Sequence, residues 1–159
     1  MAIVAAVFAG FVLTFLRRGL PLVFNGNEIA DDALSSIFTP DDRSKPRKTI
    51  NWKRTGTEAG QKRLALIRSL AKLRHEMPVF ADGTQEWVTD GEAQGAVAFA
   101  RRLDGCAVFV AANLTDKPVQ FAPSGVALDP SRKPMLAERF TLDGQSVVLG
   151  PWGFVAVEY

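Results

Sequence analysis

Residues 2 to 25 are nearly all apolar, and this stretch constrains the chain more than any other. Ala2 to Leu16 reads as a hydrophobic helix, followed by Arg17-Arg18 and broken at Gly19. Leu20-Pro-Leu-Val-Phe24 then reads as a short strand that is apolar at every position. Strands of that kind are buried on both faces and belong to parallel sheets. Pro21 is tolerable near a strand start. One helix cannot bury such a strand alone, so residues 1 to 78 read as part of a barrel or doubly wound sheet whose remainder is absent.

Two other readings of the N-terminal run are weaker. A signal peptide carries positive charge before its apolar stretch, and here Arg17 and Arg18 come after it. A spanning helix needs roughly 20 apolar residues, and this run is shorter. A reverse-oriented membrane anchor with Arg17 and Arg18 as its cytoplasmic flank is the remaining alternative. The expected setting is cytoplasmic, without a membrane.

Residues 26 to 57 are polar and carry Gly26, Pro40, Pro46 and Gly56. They read as a long loop with a short helix over Asp31 to Phe38; loops of this length usually serve function. Helical periodicity returns over 58 to 76, with Leu66, Ile67, Leu70, Leu73 and Met77 on one face. Thr57 is the expected N-cap, Glu58 sits in the first turn, and Pro78 stops the helix. From Val79 onward the texture is all β, with strands expected near 85–89, 95–102, 106–113, 118–122, 134–141, 145–149 and 152–158. The turn signals are Asp82-Gly83, Asp90-Gly91, Asp104-Gly105, Asp143-Gly144 and Gly150-Pro151. The pairs at 104–105 and 143–144 read as hairpin turns. About seven short strands in so few residues suggest an antiparallel β-sandwich over 79–159.

Charge excludes one class of function. Lys plus Arg is 19 and Asp plus Glu is 17, a net charge of +2. That is too near balance for a nucleic-acid or anionic-membrane footprint. The local run Arg43 to Lys48 has no interleaved aromatics to stack bases. The single cysteine, Cys106, lies in an expected buried strand and has no partner for a disulfide. No metal-ligand spacing occurs, and no cofactor is expected.

Several stretches carry a family resemblance, in order along the chain. Gly19-Leu-Pro-Leu-Val-Phe-Asn-Gly-Asn-Glu28 resembles the segment of the alpha-amylase superfamily that forms the eighth barrel strand and the loop after it. Arg47-Lys-Thr-Ile-Asn-Trp52 is similar to that family's Arg-x-Pro-φ-x-Trp stretch (φ being apolar), with Thr49 where proline is usual. Leu66-Ile-Arg-Ser-Leu-Ala-Lys-Leu-Arg-His-Glu-Met-Pro78 resembles its final barrel helix. Val97 to Leu103, Val108 to Thr115 and Leu149 to Val157 resemble strands of its C-terminal domain. The resemblance implies the terminal αβα portion of a TIM-type (β/α)8 barrel over 1–78, made of the seventh helix, eighth strand, long loop and eighth helix. The β-sandwich would follow.

It also implies a parent glycoside hydrolase acting on α-glucosidic bonds of starch-like substrates or malto-oligosaccharides. That chemistry needs two carboxyl groups, about 5 Å apart in the retaining geometry. The family takes its nucleophile Asp, acid/base Glu and third Asp from the fourth, fifth and seventh strands, all of which would precede residue 1. The third Asp normally follows a His, but the only His here, His75, precedes Glu76 on a later helix. No catalytic residue carries over, and this chain alone is expected to be inactive. The family can bind calcium, but nothing here resembles a dedicated site.

Barrel chemistry sits at the C-terminal ends of the strands, where Asn25, Asn27 and Glu28 would lie. They are the substrate-binding candidates. Glu28 reads more readily as a loop anchor, since a lone carboxylate cannot run the two-carboxylate mechanism, and Asn25 and Asn27 read equally as turn residues tolerant of positive φ. Trp52 reads as a lid packing the loop onto the barrel, or as a platform for a sugar ring. Trp87 and Trp152 read as packing residues. Partners follow from the same logic: an α-glucan or oligosaccharide in the full-length enzyme, and self-association or a complementary barrel chain for the piece alone. The competing function is a non-catalytic carbohydrate-binding or accessory β-sandwich protein.

Overall fold

The computed structural model describes residues 2–32, 50–89 and 95–159, with side chains from Ala5 onward. These residues form two compact units, Met1–Pro21 with Leu70–Tyr159, and Leu22–Ser69. The helices are α1 (Ala2–Leu16), α2 (Glu58–Glu76) and α3 (Pro78–Ala81). The strands are β1 (Thr84–Trp87), β2 (Ala96–Leu103), β3 (Cys106–Asn113), β4 (Val119–Phe121), β5 (Leu136–Asp143) and β6 (Ser146–Glu158).

In the first unit all six strands join in one curled antiparallel sheet, in the order β1-β2-β3-β6-β4, with β5 also on β6. This differs from the expected pair of separate sheets, and β6 is the reason. Its C-terminal half pairs with β3 through Phe154 to Glu158, and its N-terminal half pairs with β4 through Val147 to Leu149. β5 ladders with both halves. The expected turn at Gly150-Pro151 is instead a bulge, where four residues of β6 oppose the single Arg139 of β5. Trp152 and Arg139 both take positive φ there, 57° and 52°. Gly153 is required for packing, because a Cβ would lie 2.7 Å from the Arg139 carbonyl oxygen. One long bent strand thus replaces the two expected strands 145–149 and 152–158.

The hairpins match the turn chemistry. Leu103 pairs with Cys106, leaving Asp104 and Gly105 as a two-residue loop. Both have positive φ, 47° and 83°, which a type I′ turn requires. Asp143 pairs with Ser146, so the next hairpin loop is Gly144-Gln145, one residue later than the Asp-Gly signal. The signal at Asp90-Gly91 lies outside the described residues.

Strand alternation divides the core. Ala98, Ala100, Phe109, Ala111, Val147, Leu149, Val155 and Val157 share one cluster with Phe121, Val126 and Leu128 on the inside of the curl. The alternate positions Phe99, Val108, Val110, Ala112, Phe154 and Ala156 are buried on the other face. There α1 lies on β3 and β6, and α3 lies on β2 and β3. Ala9, Phe11, Val12, Phe15 and Leu16 of α1 are buried. The helix expected to show its apolar surface is therefore covered along its C-terminal half by the sheet of its own chain. No described helix is long and apolar enough to cross a membrane.

The expected strand Leu20–Phe24 does not form. The segment joins no ladder among the described residues, and Leu20, Leu22 and Phe24 are 95%, 85% and 62% exposed. A parallel strand needs parallel neighbours, and every pairing among the described residues is antiparallel. Of the helix expected over Asp31 to Phe38, Asp31 and Asp32 are not helical and the rest lies outside the described residues.

Arg101 is the one fully buried cation of the sheet. Its Nε donates to the Thr84 carbonyl at 3.0 Å, Nη1 to Leu16 at 2.9 Å and Nη2 to Gly83 at 2.9 Å. Burial, and then the charges of Arg74 and Arg18, pull its pKa below the ordinary arginine value. Hydrogen bonds to a charged group contribute about 1.5–3 kcal/mol each, against a burial penalty of several kcal/mol per ion. The sum is near balance, so Arg101 acts mainly by fixing which carbonyls meet. Truncation still takes the donor from two buried carbonyls, Leu16 and Gly83, and from the more accessible one of Thr84. Arg101→Leu should lower the unfolding free energy by about 3 kcal/mol, read as a shifted midpoint in urea.

Candidate functional site

The second unit builds the loop that carries the sequence-predicted residues. Asn27 N–H donates to the Phe24 carbonyl at 2.9 Å, closing a turn with Asn25 and Gly26 at its corners. Gly26 has φ 95° and ψ −20°, the third-position geometry of a type II turn, which favours glycine. Neither asparagine takes positive φ; that role falls to Gly26 and to Ala30 at φ 58°. The 3-10 turn Asn27–Ile29 ends in a double closure. Asp31 N–H donates to Gly26 O at 2.9 Å and Ala30 N–H donates to Asn27 O at 3.3 Å, a Schellman pattern with alanine in the left-handed position.

Glu28 folds back on its own turn, where its Oε2 accepts the Gly26 N–H at 2.8 Å. Asn25 and Asn27 are exposed, while Glu28 is half-buried. The structure therefore places all three in one turn, with two free amides outward and the carboxylate engaged locally.

Residues the sequence reading passed over hold this turn in place. The 3-10 helix Trp52–Gly56 contacts the Asn27–Ile29 turn. Arg54 Nη1 pairs with Asp32 Oδ2 at 2.8 Å, and Arg63 Nη1 reaches the Asn27 carbonyl at 3.4 Å. A Cβ on Gly60 would lie 2.0 Å from the Arg54 carbonyl oxygen and 3.0 Å from that of Ile29. The first turn of α2 therefore packs directly on both 3-10 segments, and only glycine fits. Thr57 caps α2 as expected, its Oγ1 accepting the Gly60 N–H at 3.1 Å. Burial, and then the Arg54 charge, lower the Arg63 pKa. The Nε atoms of Arg54 and Arg63 are both buried without a partner. Gly60, sitting three residues past a threonine cap, was the one available signal for this close approach.

Two aromatics of the same unit stay in water. Phe24 is 62% exposed and Trp52 is 55% exposed; most of the loop that Trp52 was expected to pack lies outside the described residues. Elsewhere His75 is exposed in the last turn of α2. Among the described residues no three of His, Cys, Asp and Glu gather as a metal site. An open pocket of about 420 Å³ lies at the β2–β3 hairpin beside Thr84, Arg102, Asp104 and Cys106, and holds none of the predicted site residues.

With this geometry in hand, the comparisons divide sharply. Neither a family profile nor any curated protein sequence matches the chain. Solved structures do match. A mutant of the trehalulose synthase MutB bound to Tris aligns with 98% of this chain at 18% identity, with a TM-score of 0.69. The enzyme from Pseudomonas mesoacidophila aligns with 97% at 16% identity, with a TM-score of 0.67. The chain shares its fold with part of trehalulose synthase. It spans only 38% of the length of those structures. At such identity the likeness is one of fold alone.

Two outcomes test the local chemistry. Thr57→Ala should cost about 1 kcal/mol of stability in urea denaturation, and Thr57→Asp should recover most of it. Burial, and then the Glu158 carboxylate, push the Cys106 thiol pKa up. Less thiolate is then present at any given pH, so iodoacetamide should alkylate Cys106 more slowly in the folded chain than in urea-unfolded chain at pH about 8.

Proposed function

We propose that this chain is the C-terminal portion of an alpha-amylase-type glycoside hydrolase. The parent acts on α-glucosidic bonds of starch-like or malto-oligosaccharide substrates by a retaining two-carboxylate mechanism. Residues 1–78 are the end of its barrel and 79–159 its C-terminal β domain. The observation that carries this reading is the fold likeness over 98% of the chain against 38% of the matched enzyme. One matched structure is a mutant in complex with its substrate sucrose, and another is an inactive double mutant holding isomaltulose. The exposed Leu20–Phe24 segment agrees with it, since its apolar side chains have the pattern of a strand with neighbours on both sides.

Within the parent the residues of this chain bind rather than react. The outward amides of Asn25 and Asn27 donate to and accept from sugar hydroxyls. Glu28 holds the turn through Gly26, and its other oxygen is left for a hydroxyl donor. The two carboxyl groups of the reaction come from elsewhere in the parent. A cytoplasmic setting, and assembly with a complementary barrel portion or a second copy, belong to the same reading.

A second reading has one observation behind it. Trp87 lies on the edge strand β1, 60% exposed, its ring set edge-on to buried Phe99 at 5.8 Å. That arrangement suits a non-catalytic carbohydrate-binding protein. Reducing-sugar release from maltotriose by the purified chain separates catalysis from binding. The expected result is no release above buffer. Sustained turnover would overturn the assignment of all catalytic carboxylates to other parts of the parent.

A further inference from the structure

We propose that Trp52 is a stacking platform for an uncharged pyranose, in the same site as Asn25 and Asn27; this rests on the α-glucoside reading above. A tryptophan at 55% exposure leaves most of its indole face in water, which is unusual for so large a side chain. Its backbone is nevertheless fixed. The Trp52 carbonyl accepts the Thr55 Oγ1–H at 2.8 Å, and Trp52 N–H donates to Ile50 O at 3.0 Å. Arg54, two residues on, is tied to Asp32, and its carbonyl lies against Gly60 of α2. An exposed ring on a fixed backbone loses little conformational freedom when something lies on it.

The surroundings select the ligand chemistry. The 3-10 helix bearing Trp52 touches the turn bearing Asn27, and Asn25 and Asn27 are both exposed. Of the nearby charges, Arg54 pairs with Asp32, Arg63 lies at the Asn27 carbonyl and Glu28 is bonded to the Gly26 N–H, so both signs are present and locally engaged. An aromatic face beside neutral amides suits a molecule with one apolar C–H face and a rim of hydroxyls. The C–H face of a pyranose, slightly positive, lies on the negative π face, and the amides take the hydroxyls. Neither of the other tryptophans has this setting: Trp87 is engaged with Phe99, and Trp152 is half-buried in the β6 bulge.

The test uses the full chain and the indole N–H resonances of its three tryptophans, assigned with Trp52→Phe, Trp87→Phe and Trp152→Phe. Maltotriose is titrated to millimolar excess, with glycerol as the hydroxyl control. The Trp52 resonance should move saturably with maltotriose and not with glycerol, while the other two stay. Trp52→Ala should weaken maltotriose binding about tenfold by calorimetry and leave the urea midpoint unchanged. Movement of Trp87 or Trp152 alone would overturn the role of Trp52 while keeping a sugar-binding chain. No movement of any indole would overturn both this proposal and the sugar site it rests on. A large drop in the urea midpoint of Trp52→Ala, with sugar binding intact, would make Trp52 a packing residue and end the proposal.

Discussion

The last carbonyls of α1 have no donors within their own helix, and two arginines from far along the chain supply them. Arg101 reaches Leu16 O from β2. Arg74 reaches Phe15 O at 2.8 Å, Phe80 O at 2.9 Å and the Gly19 carbonyl from α2. Helix α1 carries no basic residue in its own last turn, so these two cations are its complement to the negative end of the dipole. Through Thr84 and Gly83, Arg101 ties the same helix end to the start of β1. Through Phe80, Arg74 ties it to α3. One buried guanidinium and one half-buried guanidinium thus define where α1, α3 and the first two strands meet, with no carboxylate involved.

That junction explains why α1 belongs with the sheet. Its apolar side chains alone would accept any greasy surface. The carbonyls of its C-terminus accept only the positions Arg74 and Arg101 can reach. The far side of the sheet is then free to curl around its own cluster, and the β6 bulge sets how. Gly150 and Gly153 let the strand pass close to Arg139: a Cβ on Gly153 would strike the Arg139 carbonyl oxygen, and one on Gly150 would crowd the Arg139 side chain. Asn113 holds the same corner, its Nδ2 donating to Gly150 O at 2.9 Å and Lys117 O at 2.6 Å while its Oδ1 accepts the Thr115 N–H at 2.9 Å. Fully buried and fully bonded, it links the bulge to the chain leaving β3.

Much of this was legible in sequence because local chemistry decided it. Asp104-Gly105 set its hairpin, Thr57 its cap, and β2 and β3 fell within a residue of the expected bounds. The failures share a cause: each concerned a choice made between distant residues. Gly150-Pro151 is a turn signal by composition, yet β3, β4 and β5 together hold the strand through it. Arg101 sits in a largely apolar strand and gives no hint of the Leu16 carbonyl it meets 85 residues away. In the candidate loop the polar character and the Asn-Gly-Asn turn were plain. The clamp made by Arg54, Asp32, Arg63 and Gly60 was not, because it depends on two short 3-10 segments meeting the first turn of a helix.

Leu20 to Phe24 shows the same division from the other side. Its residue choice specifies a central parallel strand as clearly as any stretch in the chain. Burying Leu20, Leu22 and Phe24 would contribute about 1.5–3 kcal/mol for each side chain. Nothing in the antiparallel sheet supplies that burial, because its strands run in the wrong sense and its two faces are already covered by α1, α3 and the inner cluster. Within this chain the helix end is therefore anchored and the strand beyond it is left open.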